Sequence, residues 1–408
     1  MFLSNFHFSF ESLIPVMVLI GIASIIPIVL LAFREPLVPI FIGELLVGII
    51  LGLNSEVREF FLTPITQSLY IISLAMLLFL SGFDTDFTVF SRKPGQFPIL
   101  KWVLRGLGVV YLLSFAMAFC FKKYINDGMF WQGIMLMMIL LASTFESYIN
   151  PIIHSRTEIG LRITRISGTY ATLAEFLSII GLSLFMMVFR NSNSIWLVGI
   201  ILVILLIIFM VLKYINRSLF DGIRGGYLQI GLRFSLFVFL LLVTLSEYAG
   251  IEIIFGAFLL GMVIKYVKVS HREIAKIESF GAGFFIPLFF LLLGLQVPVV
   301  QVFSSWNGVY LTLIILLVML VVKLPLLYLA KWYTVSTALT AYLLSTSTLI
   351  VSLALQHFDV FTHSFSEALV VASAITCIVP VIIFYHNYSF GKKRITDSQS
   401  ENIENLNK

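Results

Sequence analysis

The chain has 408 residues, of which 60% are hydrophobic and 12% charged, with a formal net charge of +5 and a mean hydropathy of +1.04. Soluble domains carry roughly 25% charged residues, so this composition excludes a water-soluble globule. The basic residues are spread over short loops and form no patch, so no nucleic-acid partner is expected.

A bilayer solvates apolar outer faces, and a spanning helix needs about 20 mostly apolar residues with its backbone hydrogen bonds made internally. Thirteen hydrophobic segments follow in chain order: 12–33, 37–53, 66–82, 97–121, 130–154, 163–189, 195–215, 227–248, 251–269, 280–297, 306–331, 336–357 and 363–386. The residues before the first carry no basic run, so that span is expected to be retained in the membrane. With the C-terminus in the cytoplasm, the inside loops hold Arg34, Arg92, Lys93, Arg156, Arg162, Lys213, Arg217, Arg224, Lys265, Lys268, Arg272, Lys276, Lys331 and Lys392 to Arg394. The outside loops hold Arg58, Lys122, Lys123 and Arg190. This positive-inside bias predicts a multi-pass protein of the cell membrane with its N-terminus outside. Cys120 and Cys377 lie in apolar runs and read as packing residues, not as a disulfide.

Two segments carry polar clusters at bilayer depth. The fifth contains Ser143, Thr144, Glu146, Asn150 and Pro151; the twelfth contains Ser345, Thr346, Ser347 and Thr348. Unwound backbone is tolerated in a membrane where it lines a cavity or packs within protein. Pro151 and Glu146 favour such a break in the fifth segment. In the twelfth, without Pro or Gly, a break and simple back-bonding of Ser and Thr within a continuous helix stand side by side. The two segments are seven apart, an odd number, so equivalent helices enter the membrane in opposite senses. This predicts an inverted-topology repeat, with paired interrupted helices pointing to a midplane site. The predicted organisation is a first half at 1–189, a connector at 190–226, a second half at 227–390 and a polar, disordered cytoplasmic tail at 391–408, with no soluble regulatory domain.

Ionisable residues inside a membrane are costly and are functional candidates by default. Glu175, in the middle of the sixth segment, is too far from either end to snorkel. Burial disfavours the charged form of a carboxylate, which suits a group that holds either a proton or a cation. Glu146 has two readings: a hard oxygen ligand beside Ser143 and Thr144, or one half of a structural ion pair. Lys323, well inside the eleventh segment, reads as a charge partner for a buried carboxylate or for the negative ends of broken half-helices. Glu44 reads as a packing or interfacial residue, and Lys101, Arg105 and Arg233 as snorkelling groups. The six histidines form no metal motif, so no cofactor and no metal beyond a transported monovalent ion is expected, and an enzyme is disfavoured.

Five further motifs resemble a known family. They are Gly43 to Gly52, Leu78 to Asp86, Ser143-Thr144 followed by Pro151, Gly256 to Gly261, and Phe284 to Phe290 followed by Gly294-Leu295. In order and spacing they resemble the monovalent cation:proton antiporter-2 family along nearly every segment. The resemblance implies an all-α membrane fold with two crossing broken helices, a homodimer, and a core domain moving in elevator fashion. It also implies Na+ or K+ exchanged for H+. The family's paired site carboxylates fall at Ala174 and Glu175, so one is lost and the other is a glutamate. The lysine that pairs with the lost group is matched by Lys323. Glu146 is therefore expected to replace it, with Glu175 binding cation and proton. A symporter or exchanger of another small solute, and a non-transporting sensor or scaffold, are the other readings.

Overall fold

In the computed structural model, the described residues are 13–32, 40–84, 97–144, 158–189, 253–267, 271–331 and 358–378, with scattered residues between 203 and 244 and between 346 and 355. They are almost wholly helical. The helices are α1 (Ile14–Ala32), α2 (Ile40–Gly52), α3 (Ser55–Phe61), α4 (Pro64–Asp84), α5 (Phe97–Ala118), α6 (Phe130–Ala142) and α7 (Glu158–Phe189). After these come α8 (Ile253–Val267), α9 (His271–Phe280), α10 (Ile286–Gln296), α11 (Val299–Phe303), α12 (Trp306–Lys331) and α13 (His363–Ile378).

Among the described residues, five spans are long and apolar enough to cross a membrane: Pro64–Phe83, Leu100–Tyr124, Thr169–Met186, Ala275–Phe303 and Trp306–Leu326. A sixth is added if α2 and α3, bent by 119°, count as one. The chain is therefore an integral membrane protein. Much of the predicted segments at 195–215, 227–248 and 336–357 lies outside the described residues.

Local chemistry explains several boundaries. Asn54 caps α3, its Oδ1 accepting from the N–H of Glu56 at 2.9 Å and of Val57 at 3.4 Å. Thr63 and Thr66 cap α4 reciprocally: the Thr63 N–H donates to Thr66 Oγ1 at 2.9 Å and the Thr66 N–H to Thr63 Oγ1 at 3.3 Å. Pro64 opens that helix, where no N–H is needed. The segment expected at 280–297 begins earlier, because the amphipathic α9 leads into it through a π-helical stretch, Gly281–Phe285. Its polar face hides it from a hydropathy window.

The chain forms two compact units, interleaved along the sequence. The first comprises Met1–Ala23, Glu44–Thr88 and Phe176–Gln296. Its core rests on two glycine-mediated contacts. A Cβ on Gly48 would lie 2.3 Å from the Leu291 carbonyl oxygen, and one on Gly294 would lie 2.4 Å from that of Leu45. In the same way, a Cβ on Gly82 would lie 2.1 Å from the Phe258 oxygen, and one on Gly261 would lie 2.0 Å from that of Phe79. Helix backbones touch directly at both places, which only glycine allows. Glu44 is buried here at 1% exposure, so it does not lie at an interface with water.

The second unit comprises Ser24–Gly43, Val89–Glu175 and Val297–Lys408. Within it α5, α6 and α12 pack together. At Gly106 of α5, Leu326 of α12 and Tyr170 of α7 both press against the helix. One end of the unit is closed by a short backbone clamp. The Asn126 N–H donates to the Val360 oxygen and the Thr362 N–H to the Tyr124 oxygen, both at 2.9 Å. The Asn126 amide adds a bond to the Asp359 oxygen at 2.9 Å. The turn into α6 needs Gly128, whose φ is +81°. Lys101, Arg105 and Arg233 are exposed. Cys120 is free and exposed, not packed in the interior, because it sits on the outer face of a helical end; Cys377 is free and buried.

Candidate functional site

The polar centre of the second unit is built where one helix ends and another begins. α6 is apolar and well formed up to Ala142, then ends at Ser143, whose backbone is extended with φ −61° and ψ 141°. Ser143 Oγ turns back and donates to the Leu140 oxygen at 2.7 Å. That satisfies one terminal carbonyl and leaves the Ser143 carbonyl facing the interior. Thr144, also buried, follows.

The helix start lies far along the chain. Thr346 and Ser347 are buried and not helical. Ser347 starts a new helical turn. Its carbonyl accepts from the Val351 N–H at 3.1 Å, and its Oγ accepts from the Ile350 N–H at 3.3 Å, as an N-cap does. Thr346, just before the cap, is tied to α13. Its N–H donates to Thr376 Oγ1 at 3.2 Å, and its carbonyl accepts from Cys377 Sγ at 3.0 Å.

Lys323 joins the two. It lies in the C-terminal half of α12, with no solvent exposure. Its Nζ donates to the Ser143 carbonyl oxygen at 2.6 Å, to Thr346 Oγ1 at 3.2 Å and to Thr144 Oγ1 at 3.4 Å. Oxygen acceptors suit the N–H groups of an ammonium, which donates and never accepts. The carbonyl belongs to the C-terminal end of α6, where a helix carries partial negative charge. Much of the cation's hydration is thus replaced by fixed protein oxygens.

Glu175 lies on α7 at 1% exposure, on a face shared with the buried Ala171, Ala174 and Ser178. α7 and α12 are brought to the same point of α5 by Tyr170 and Leu326 at Gly106. Tyr170 is a turn and a half before Glu175, and Leu326 is three residues after Lys323. Of the residues singled out from sequence, Ser143, Thr144, Lys323 and Thr346 are brought into hydrogen-bond contact. Ser347 caps the adjoining helix, and Glu175 is buried in the same unit. Glu146 and Ser345 lie outside the described residues. The contacts of Thr376 and Cys377 were not anticipated; the sequence signal is the pair of small polar residues, Ser373 and Thr376, at helical spacing in an otherwise apolar segment.

A helical membrane protein whose fully buried lysine bonds to the end of one helix and to the residue before the start of another has the features of an ion-handling carrier. Within that class, the chain belongs to the family described as sodium/hydrogen exchanger, transmembrane, whose model matches residues 20–385. It is 28% identical over 406 residues to the Bacillus subtilis protein named "Putative Na(+)/H(+) antiporter YjbQ", covering 94% of this chain. The chain spans 64% of that relative's length. It is 24% identical to a Na(+)/H(+) antiporter of Enterococcus hirae, covering 85% of this chain and 91% of the relative. It is also 26% identical to Cation/H(+) antiporter 15 of Arabidopsis thaliana, covering 70% of this chain and 36% of the relative.

Proposed function

We propose that this protein exchanges a monovalent cation, Na+ or K+, for H+ across the cell membrane. Glu175 is the site that cation and proton share. Binding is competitive, because one carboxylate holds either the proton or the cation. Exchange follows when the empty, negatively charged site crosses the membrane poorly. Ser143 and Thr144 supply further oxygen ligands, Glu146 replaces the carboxylate missing at Ala174, and Lys323 is the charge partner.

The observation that carries this reading is the Lys323 node, which binds the Ser143 carbonyl and the Thr346 hydroxyl at once. It lies inside the span matched by the exchanger family. Relatives named for Na+/H+ and cation/H+ antiport agree with it.

Movement is elevator-type in a homodimer, with the N-terminus outside and the C-terminus in the cytoplasm. Ser143, Glu175, Lys323, Thr346 and Ser347 all fall within the second compact unit, which supports a single site. The two glycine contacts support an inverted repeat. With an offset of seven segments, the second corresponds to the ninth and the third to the tenth. The contact of α2 with α10 through Gly48 and Gly294 then corresponds to that of α8 with α4 through Gly261 and Gly82.

The test is reconstitution into liposomes with an imposed pH gradient, followed by Na+, K+ and Li+ in turn. Dissipation of the gradient by at least one of them is expected. Silence with all three removes the exchange reading and leaves a carrier of another small solute, or a sensor or scaffold.

A further inference from the structure

We propose that Thr376 and Cys377 are positioning residues of this site, which together hold the backbone of Thr346 so that its hydroxyl meets Lys323. The inference rests on the exchange reading above. A residue just outside a helix leaves its N–H and C=O without helix partners, and in hydrocarbon such groups must find others. Thr346 finds both on two consecutive residues of α13. Its N–H donates to Thr376 Oγ1 at 3.2 Å, and its carbonyl accepts from Cys377 Sγ at 3.0 Å.

The polarity of these bonds is matched. The Thr376 hydroxyl spends its own hydrogen on the Ser373 carbonyl at 2.8 Å, so it faces Thr346 as an acceptor, which is what an N–H needs. The Cys377 thiol, fully buried, supplies the donor that the carbonyl needs. With both backbone groups held, the Thr346 side chain is fixed 3.2 Å from Lys323 Nζ. α13 is therefore linked to Lys323 through Thr346. If Thr346 shifts, Lys323 loses an oxygen partner, and the balance between cation and proton at the site shifts with it.

The experiment compares Thr376→Val with Thr376→Ser, and Cys377→Ala with Cys377→Ser, in the full-length reconstituted protein. Valine and alanine remove the bonding group; both serines keep it. Na+ and K+ are titrated in parallel against a pH gradient over a range of pH. Thr376→Val is expected to raise the half-saturating cation concentration roughly tenfold and to displace the pH profile, as loss of one buried hydrogen bond implies. Cys377→Ala is expected to act in the same direction and more weakly, because a thiol is a weak donor. Each serine variant is expected to stay within about twofold of the unsubstituted protein.

Thr376→Val with unchanged half-saturation and pH profile overturns the proposal. So does Thr376→Ser failing as badly as Thr376→Val, since packing and not hydrogen bonding is then at stake. If Thr376→Val does not fold, the two Cys377 variants decide by the same criteria. If the unsubstituted protein moves no ions, the exchange reading fails separately. The positioning claim is then judged by deuterium uptake of the peptide containing Thr346. Uptake faster in Thr376→Val than in Thr376→Ser supports it, and equal uptake overturns it.

Discussion

Lys323 Nζ stands 2.6 Å from the carbonyl oxygen of Ser143, a residue 180 positions earlier in the chain. The contact puts a cation at the C-terminal end of α6, where the peptide dipoles leave partial negative charge. It joins two helices that sequence separation alone would not bring together, and it does so at the point where α6 stops.

Removing that cation should therefore destabilise the protein as well as change its transport. Lys323→Ala strands the Ser143 carbonyl in a buried site, at a cost of about 1–3 kcal/mol for the lost partner and more for the cavity. A lower melting temperature in detergent is the check. Lys323→Arg should not restore the native value, because a planar guanidinium cannot reach the same three oxygens as a compact ammonium.

The glycine contacts make a sharper packing prediction. Gly82→Ala and Gly261→Ala each push a methyl group into a backbone oxygen that cannot yield cheaply. Overpacking of this kind costs on the order of 1–3 kcal/mol or more. Gly21→Ala and Gly108→Ala, where nothing lies within 4 Å, should leave the melting temperature unchanged or raise it. Gly106→Ala should fall between, because Leu326 and Tyr170 side chains stand 3.1 and 3.3 Å away and can give slightly.

The N-cap at Ser347 is testable by itself. Ser347→Ala should lower stability by about 1 kcal/mol, and Ser347→Asn should recover most of it. Thermal unfolding of the purified variants distinguishes a cap from a residue that merely fills space, which alanine would leave nearly intact.

The clamp at the end of the second unit gives a fourth prediction. Asn126→Ala deletes the amide bonds to the Asp359 and Phe361 carbonyls, at 2.9 and 3.4 Å. A loss of about 0.5–1.5 kcal/mol is expected from unfolding curves. Asn126→Asp should do no better, since an ionised carboxylate cannot donate to a carbonyl.

The sequence shows the spans of this protein well where they are apolar all round. The segment expected at 306–331 is α12, Trp306–Lys331, and the one at 66–82 is α4, Pro64–Asp84. Hydropathy fails where a helix has a polar face or a sharp bend. α9 was hidden by its charged face, and the bend of 119° between α2 and α3 carries no apolar signal. The candidate site was legible through isolated polar residues in apolar runs, which is how Lys323, Ser143 and Thr346 stand out. The anchoring of Thr346 by Thr376 and Cys377 was not, because a threonine and a cysteine in an apolar helix are common and their partner is a backbone group. Tertiary contact with main chain leaves almost no trace in side-chain pattern.

The central claim is that Glu175 carries both the cation and the proton. The most direct test measures cation-induced proton movement in liposomes containing Glu175→Gln, beside the unsubstituted protein and Glu175→Asp. Glutamine keeps the shape and removes the titratable charge, so proton movement should fall to background, roughly a hundredfold or more below the unsubstituted protein. Aspartate should retain exchange with altered cation affinity. A glutamine variant that moves protons in response to Na+ or K+ at the rate of the unsubstituted protein contradicts the account.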